Sequence, residues 1–190
     1  MLVRLRTLSH RTPLVLVALL LALLTVAPIA YAVTIAGTER RDDLSGTARP
    51  DVIRGRGGND TIHGKSGPDR LFGGRGRDRV IGDSGADIVS GDQGNDFVDG
   101  DSGDDLLFGG AGNDFMEGDS GNDRAFGGPG NDRFVGGSGN DRVVGGPGDD
   151  TFDLDDQDGK RDTIICGPGF DTAIHHADDT TSGCENDVTL

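Results

Sequence analysis

The chain has no tryptophan and one tyrosine, Tyr31, in 190 residues. Sugar-binding sites usually stack their ligand on such rings, so this scarcity argues against a lectin. Positive charge is also scarce: 18 Lys and Arg stand against 33 Asp and Glu, a net charge of −15. Phosphate binding needs clustered Lys and Arg, so nucleic acid and anionic membrane surfaces are excluded as partners and cations are favoured. No HExxH or GxSxG motif is present. The GDSG segments at Gly82, Gly100 and Gly118 resemble a serine-protease nucleophile segment, but three in-register copies without a His/Asp order read as repeat variants. A hydrolase is therefore a remote alternative.

Long apolar runs are absent except for Leu14 to Ala27. That stretch is short for a membrane span of roughly 20 residues. Arg4, Arg6, His10 and Arg11 precede it, and Ala30-Tyr31-Ala32 follows as a small-x-small cleavage site. Residues 1–32 thus have the layout of a secretory signal peptide. Removing its three arginines takes the exported chain from −15 to −18.

Glycine is abundant, with 34 residues, about 18% against an average near 7%. Such a composition suggests disorder, but the glycines are periodic, which points to a repeat fold. Read in nines from Gly55, position one is glycine through Gly145 and position four is glycine from Gly58 to Gly148. Position six is always aspartate: Asp60, Asp69, Asp78, Asp87, Asp96, Asp105, Asp114, Asp123, Asp132, Asp141 and Asp150. Position eight is always apolar, from Ile62 to Phe152. Residues 55–153 are eleven such units without an insertion.

Positions one to six are turn formers, and positions seven to nine suit a three-residue strand. Alternation along a strand turns position eight inward. Two units, 18 residues, close one coil, and stacked coils form two parallel sheets with strands about 4.8 Å apart. Aspartates 18 apart then lie above one another and repel. A divalent cation between them relieves this. Calcium takes oxygen ligands at roughly 2.3–2.6 Å, which matches the coil spacing, whereas magnesium demands a tighter octahedron and zinc prefers Cys or His.

The units GGAGNDFME, GGPGNDRFV and GGSGNDRVV resemble the hemolysin-type calcium-binding repeat, the repeats-in-toxin nonapeptide. The resemblance implies an all-β, right-handed parallel β-roll solenoid with several Ca2+ ions between successive turns. Position two departs from glycine at Arg56, Lys65, Asp83, Asp92, Asp101 and Asp119, where an outward side chain is tolerable. Pro68, Arg77 and Ala86 at position five are less usual and weaken their sites.

Residues 33–54 read as an N-terminal cap of two degenerate units, GTERRDDLS and GTARPDVIR, with Asp42 and Asp51 as weaker ligand candidates. Residues 154–190 read as a C-terminal cap in which Asp162 and Asp171 resume position six. Cys166 and Cys184 are the only cysteines, and in an exported chain they are expected to form a disulfide. The sequence predicts a secreted, extracellular calcium-binding protein without catalytic residues, in a structural or interaction role. The alternative is a recognition or adhesion module on a rigid roll. Phe72, Phe108 and Phe126 at position nine are expected to line one outer face, available to a protein partner, a second copy or the C-terminal tail.

Overall fold

The computed structural model describes residues 32–154 and 158–190, so the signal-peptide reading of residues 1–32 falls almost wholly outside the described residues. Among the described residues eighteen strands alternate between two nine-stranded sheets, odd strands in one and even strands in the other. Every pairing is parallel. No helix occurs among the described residues. The fold is a β-solenoid of about eight 18-residue coils, in which Leu71 pairs with Val89, Val89 with Leu107 and Leu107 with Ala125.

Position eight forms the core. Ile53, Ile62, Leu71, Val80, Val89, Val98, Leu107, Met116, Ala125, Phe134, Val143 and Phe152 are buried in one continuous column. The largest pair, Phe134 and Phe152, stacks at 5.0 Å between ring centroids. Ile35 and Leu44 extend the column at the N-terminal end. At the C-terminal end, the strand pairing places Thr181 beside Ile164 and Asp187 beside Ala173, so polar residues close the core.

Phe97–Asp99, Arg124–Phe126 and Arg142–Val144 have the three residues expected from position seven to nine, but most strands of the array are longer. Val52–Gly57, Thr61–Ser66, Arg70–Arg75 and Phe115–Ser120 each continue through positions one to three. The chain turns within these strands at position two, which has positive φ in both kinds of unit: 82° at Arg56, 87° at Lys65 and 110° at Gly74. The non-glycine residues there are not simply tolerated outward projections. They hold a left-handed conformation that costs L-residues free energy.

Past Asp150 the register lengthens. The aspartate ladder steps by 21 residues from Asp141 to Asp162 and from Asp150 to Asp171. It then shortens to 17 between Asp162 and Asp179 and to 14 between Asp171 and Glu185. Glycine also leaves position one here. Leu154, His175 and Cys166 occupy it and are buried. Cys166, at position one, is disulfide-bonded to Cys184 of the next coil, one residue past the aligned Gly183, with Cα atoms 5.3 Å apart. On the chain-entropy account, closing a loop of this size contributes about 3 kcal/mol.

Two substitutions separate the glycine requirements. At Gly94, φ is +141° and an added Cβ would lie 1.4 Å from the Gly76 carbonyl oxygen of the coil below. Gly94→Ala is expected to abolish folding of the central coils. Lys65→Gly relieves a left-handed residue and is expected to stabilise by about 1 kcal/mol. Denaturant midpoints in saturating calcium check both.

Candidate metal centre

The position-six aspartates sit where each turn enters its strand, and all are buried. They are tied together through the backbone. The Asp60 N–H donates to Asp78 Oδ1 at 2.7 Å, Asp78 to Asp96 at 2.8 Å, and Asp96 to Asp114 at 2.8 Å. Asp114 and Asp132 continue this edge to Asp150. The other edge runs from Asp69 through Asp87, Asp105 and Asp123 to Asp141 in the same way. The expected vertical alignment of aspartates is therefore present on both edges.

A second ladder runs beside the first with opposite polarity. Asn113 donates its N–H to Asn95 Oδ1, Asn131 to Asn113, and Asp149 to Asn131, at 3.0, 3.0 and 3.1 Å. The neighbouring edge uses Asp104, Asn122 and Asn140. Position five thus reaches up from the coil below while position six reaches down from the coil above. Pro68 and Ala86 interrupt this outer ladder because neither carries a side-chain acceptor.

The inner carboxylates are left incomplete. Oδ2 of Asp60, Asp69, Asp78, Asp87, Asp96, Asp105, Asp114, Asp123, Asp132, Asp150 and Asp171 is buried with no hydrogen-bond partner. An uncompensated buried carboxylate oxygen is costly. Those of Asp60 to Asp150 face the glycine at position one of their unit. A Cβ added at Gly91 would meet Asp96 Oδ2 at 2.6 Å and the Gly109 carbonyl oxygen at 2.7 Å. Glycine at position one therefore leaves a small space bordered by a carboxylate oxygen and a carbonyl oxygen from the next coil.

Electrostatics agree with an unmet need for positive charge. Burial pushes Asp96, Asp105 and Asp132 up to about 7, against the N–H bond each accepts, and aspartates in adjacent coils add to the rise. Asp69, Asp87, Asp123 and Asp150 rise to about 6 for the same first cause. The donor set is all oxygen, which suits a hard divalent cation and fits calcium best. Among the described residues no three His, Cys, Asp or Glu side chains cluster to hold a metal. The shell would combine carboxylates with backbone carbonyls.

The end units differ from the repeats. Asp42 and Asp51, expected as weaker ligands, have Oδ2 occupied by the N–H and Oγ1 of Thr38 and Thr47. Asp51 also accepts the Val33 N–H. Burial raises its pKa, but these three bonds outweigh burial and the net shift is downward, opposite to Asp60 and Asp69. At the other end Asp171 keeps the repeat pattern, with a buried Oδ2 and a raised pKa caused first by burial. Asp162 accepts the Asp141 N–H. Asp179 and Glu185 complete the two ladders from non-periodic positions, 17 and 14 residues on, which the nine-residue spacing could not reveal.

His175, at position one of its unit, is buried. Its Nε2 lies 2.6 Å from Asp187 Oδ1 and its Nδ1 2.7 Å from the His176 carbonyl oxygen. Thr181 Oγ1 donates to the other Asp187 oxygen. Burial opposes the imidazolium, yet these acceptors outweigh it and hold the His175 pKa above its ordinary value.

A stacked parallel coil edged with buried, unpartnered carboxylates defines a metal-binding β-roll. The family model described as the RTX calcium-binding nonapeptide repeat matches the chain in four copies, at residues 36–71, 63–98, 90–125 and 126–160. The chain belongs to this family, whose repeats bind multiple Ca2+ ions per array. No curated protein matches it.

The raised carboxylate pKa values set a pH dependence for the metal-free chain. Their folded-state values lie above the ordinary value near 3.9, so ionisation opposes folding. That penalty is complete above about pH 7 and disappears as pH falls through the folded-state values toward 4. In chelator, circular dichroism is expected to show more strand at pH 5 than at pH 7.5. In calcium the order reverses, because protons compete for the ligands. A metal-free strand signal that falls on acidification would contradict this.

Proposed function

We propose that the chain is an exported calcium-binding protein that folds into its roll on meeting calcium-rich medium, in a structural or interaction role and without catalysis. The observation that carries this reading is the row of buried Oδ2 atoms with no donor. Asp60, Asp69, Asp78, Asp87, Asp96, Asp105, Asp114, Asp123, Asp132, Asp141 and Asp150 would hold the ions, with Asp171 as a further ligand. Bound calcium would supply the positive charge that the buried carboxylates lack.

In this reading residues 1–32 are a signal peptide removed on export, 33–54 an N-terminal cap, 55–153 the binding array, and 154–190 a disulfide-closed C-terminal cap. The composition supports export, and no helix among the described residues is long and apolar enough to cross a membrane. One core side chain per nine residues, about 1.5–3 kcal/mol of burial, cannot offset the backbone entropy of ordering them. The metal-free chain is therefore unfolded at neutral pH, a state suited to passage through a secretion channel. A ligand that binds only the folded form supplies the difference.

Far-UV circular dichroism in 1 mM-scale calcium and in chelator tests this, since metal sites of extracellular modules are filled at about that concentration. The expected result is parallel-strand signal in calcium only. Equal strand content in both would overturn the reading.

The outer column offers a partner surface. Register places Phe72, Ser90, Phe108 and Phe126 in one line, with Phe108 stacked on Phe126 at 5.4 Å. Ser90 interrupts the column and Arg54 covers Phe72 at 5.2 Å, so the apolar part centres on Phe108 and Phe126. A binding or adhesion role would use this face. Phe108→Ser with Phe126→Ser should then leave calcium-induced folding intact and abolish self-association in sedimentation. A wild type that stays monomeric at all concentrations would eliminate the second copy as occupant.

A further inference from the structure

The two N-terminal units share the geometry of the repeats yet differ in one bond. A Cβ added at Gly46 would meet Asp51 Oδ2 at 2.8 Å and the Gly64 carbonyl oxygen at 2.4 Å, the same bordered space that Gly91 leaves beside Asp96. Asp51 is as buried as the ladder aspartates, at 2% exposure. Its Oδ2, however, accepts the Thr47 N–H at 2.6 Å and Thr47 Oγ1 at 2.9 Å.

The cause lies at position two. In the repeats that residue has positive φ, and the Gly110 and Gly128 N–H groups point up to the Gly127 and Gly145 carbonyls of the next coil. A β-branched residue strongly resists the left-handed region. Thr38 and Thr47 are not among the residues with positive φ. Their N–H groups turn into their own unit and reach the carboxylate instead, with the hydroxyl adding a second donor.

We propose that Thr38 and Thr47 are built-in stops of the cation array, their N–H and hydroxyl groups taking the place of the metal at Asp42 and Asp51. In the folded chain the N-terminal coil then needs no ion of its own at Asp42 or Asp51 and ends the array beneath the first loaded coil. Position two, glycine or another residue able to adopt positive φ against threonine, decides whether a nonapeptide is a binding unit or a cap.

This rests on the calcium reading of the repeats, and the count of ions separates the two. Native mass spectrometry of the full chain in calcium counts bound ions, with circular dichroism confirming the fold. Asp51→Asn is expected to leave the wild-type count unchanged, while Asp69→Asn lowers it. Thr47→Gly restores the repeat conformation and is expected to add about one ion, one site's worth of oxygen ligands. Thr47→Val keeps the β-branch and the N–H bond and is expected to add none. A folded Thr47→Gly chain with the wild-type count would overturn the proposal. So would Asp51→Asn losing ions as Asp69→Asn does. If Thr47→Gly does not fold, the Asp51 and Asp69 pair alone decides. A folded wild type with no bound calcium would refute the calcium reading itself.

Discussion

Each repeat coil of this molecule buries a carboxylate oxygen that no protein group satisfies, and the rest of the structure is arranged around that deficit. One oxygen of the carboxylate is well used: Asp78 Oδ1 takes the Asp60 N–H and so joins two coils. The other, beside glycine at position one, is orphaned. Removing the aspartates would break the ladder, and keeping them without a cation leaves a stack of like charges in a desolvated edge. Glycine at position one follows from this, because a Cβ would fill the space beside Oδ2. Glycine or a strained residue at position two follows too, because the N–H must turn away from the carboxylate.

Much of this was legible in the sequence. The nine-residue period alone gave the 18-residue coil, the aspartate columns and the apolar core, because a solenoid turns spacing directly into proximity. Parallel register such as Val89 with Leu107 is that arithmetic made physical. Three things were hidden. The strands extend into positions one to three because adjacent coils pair backbone to backbone whatever side chains stand there, as Phe115–Ser120 shows. The Oδ1 bonds and the reversed asparagine ladder depend on rotamers that no spacing encodes. Asp179, Glu185 and His175 act in the cap from positions outside the period, because the coil length there is first 21 residues and then 17 and 14 rather than 18.

The two ends solve the same problem by different means. At the N-terminal end threonine hydroxyls and amides satisfy the carboxylates. At the C-terminal end glycine gives way to Leu154, Cys166 and His175, which fill the interior, and the Cys166–Cys184 bond locks successive coils. His175 and Thr181 satisfy Asp187 where it meets the end of the core. A solenoid needs such polar or crosslinked ends to stop further stacking.

The most direct test of the central claim is where calcium sits relative to these oxygens. Crystals grown in calcium and measured at long wavelength would show the ions by anomalous scattering. The account predicts peaks between coils within about 2.3–2.6 Å of Oδ2 of the ladder aspartates such as Asp96 and Asp105, and none beside Asp51. Peaks confined to the two outer columns, at Asp104 on one edge and Asp149 on the other, with the ladder oxygens bonded to water, would contradict it.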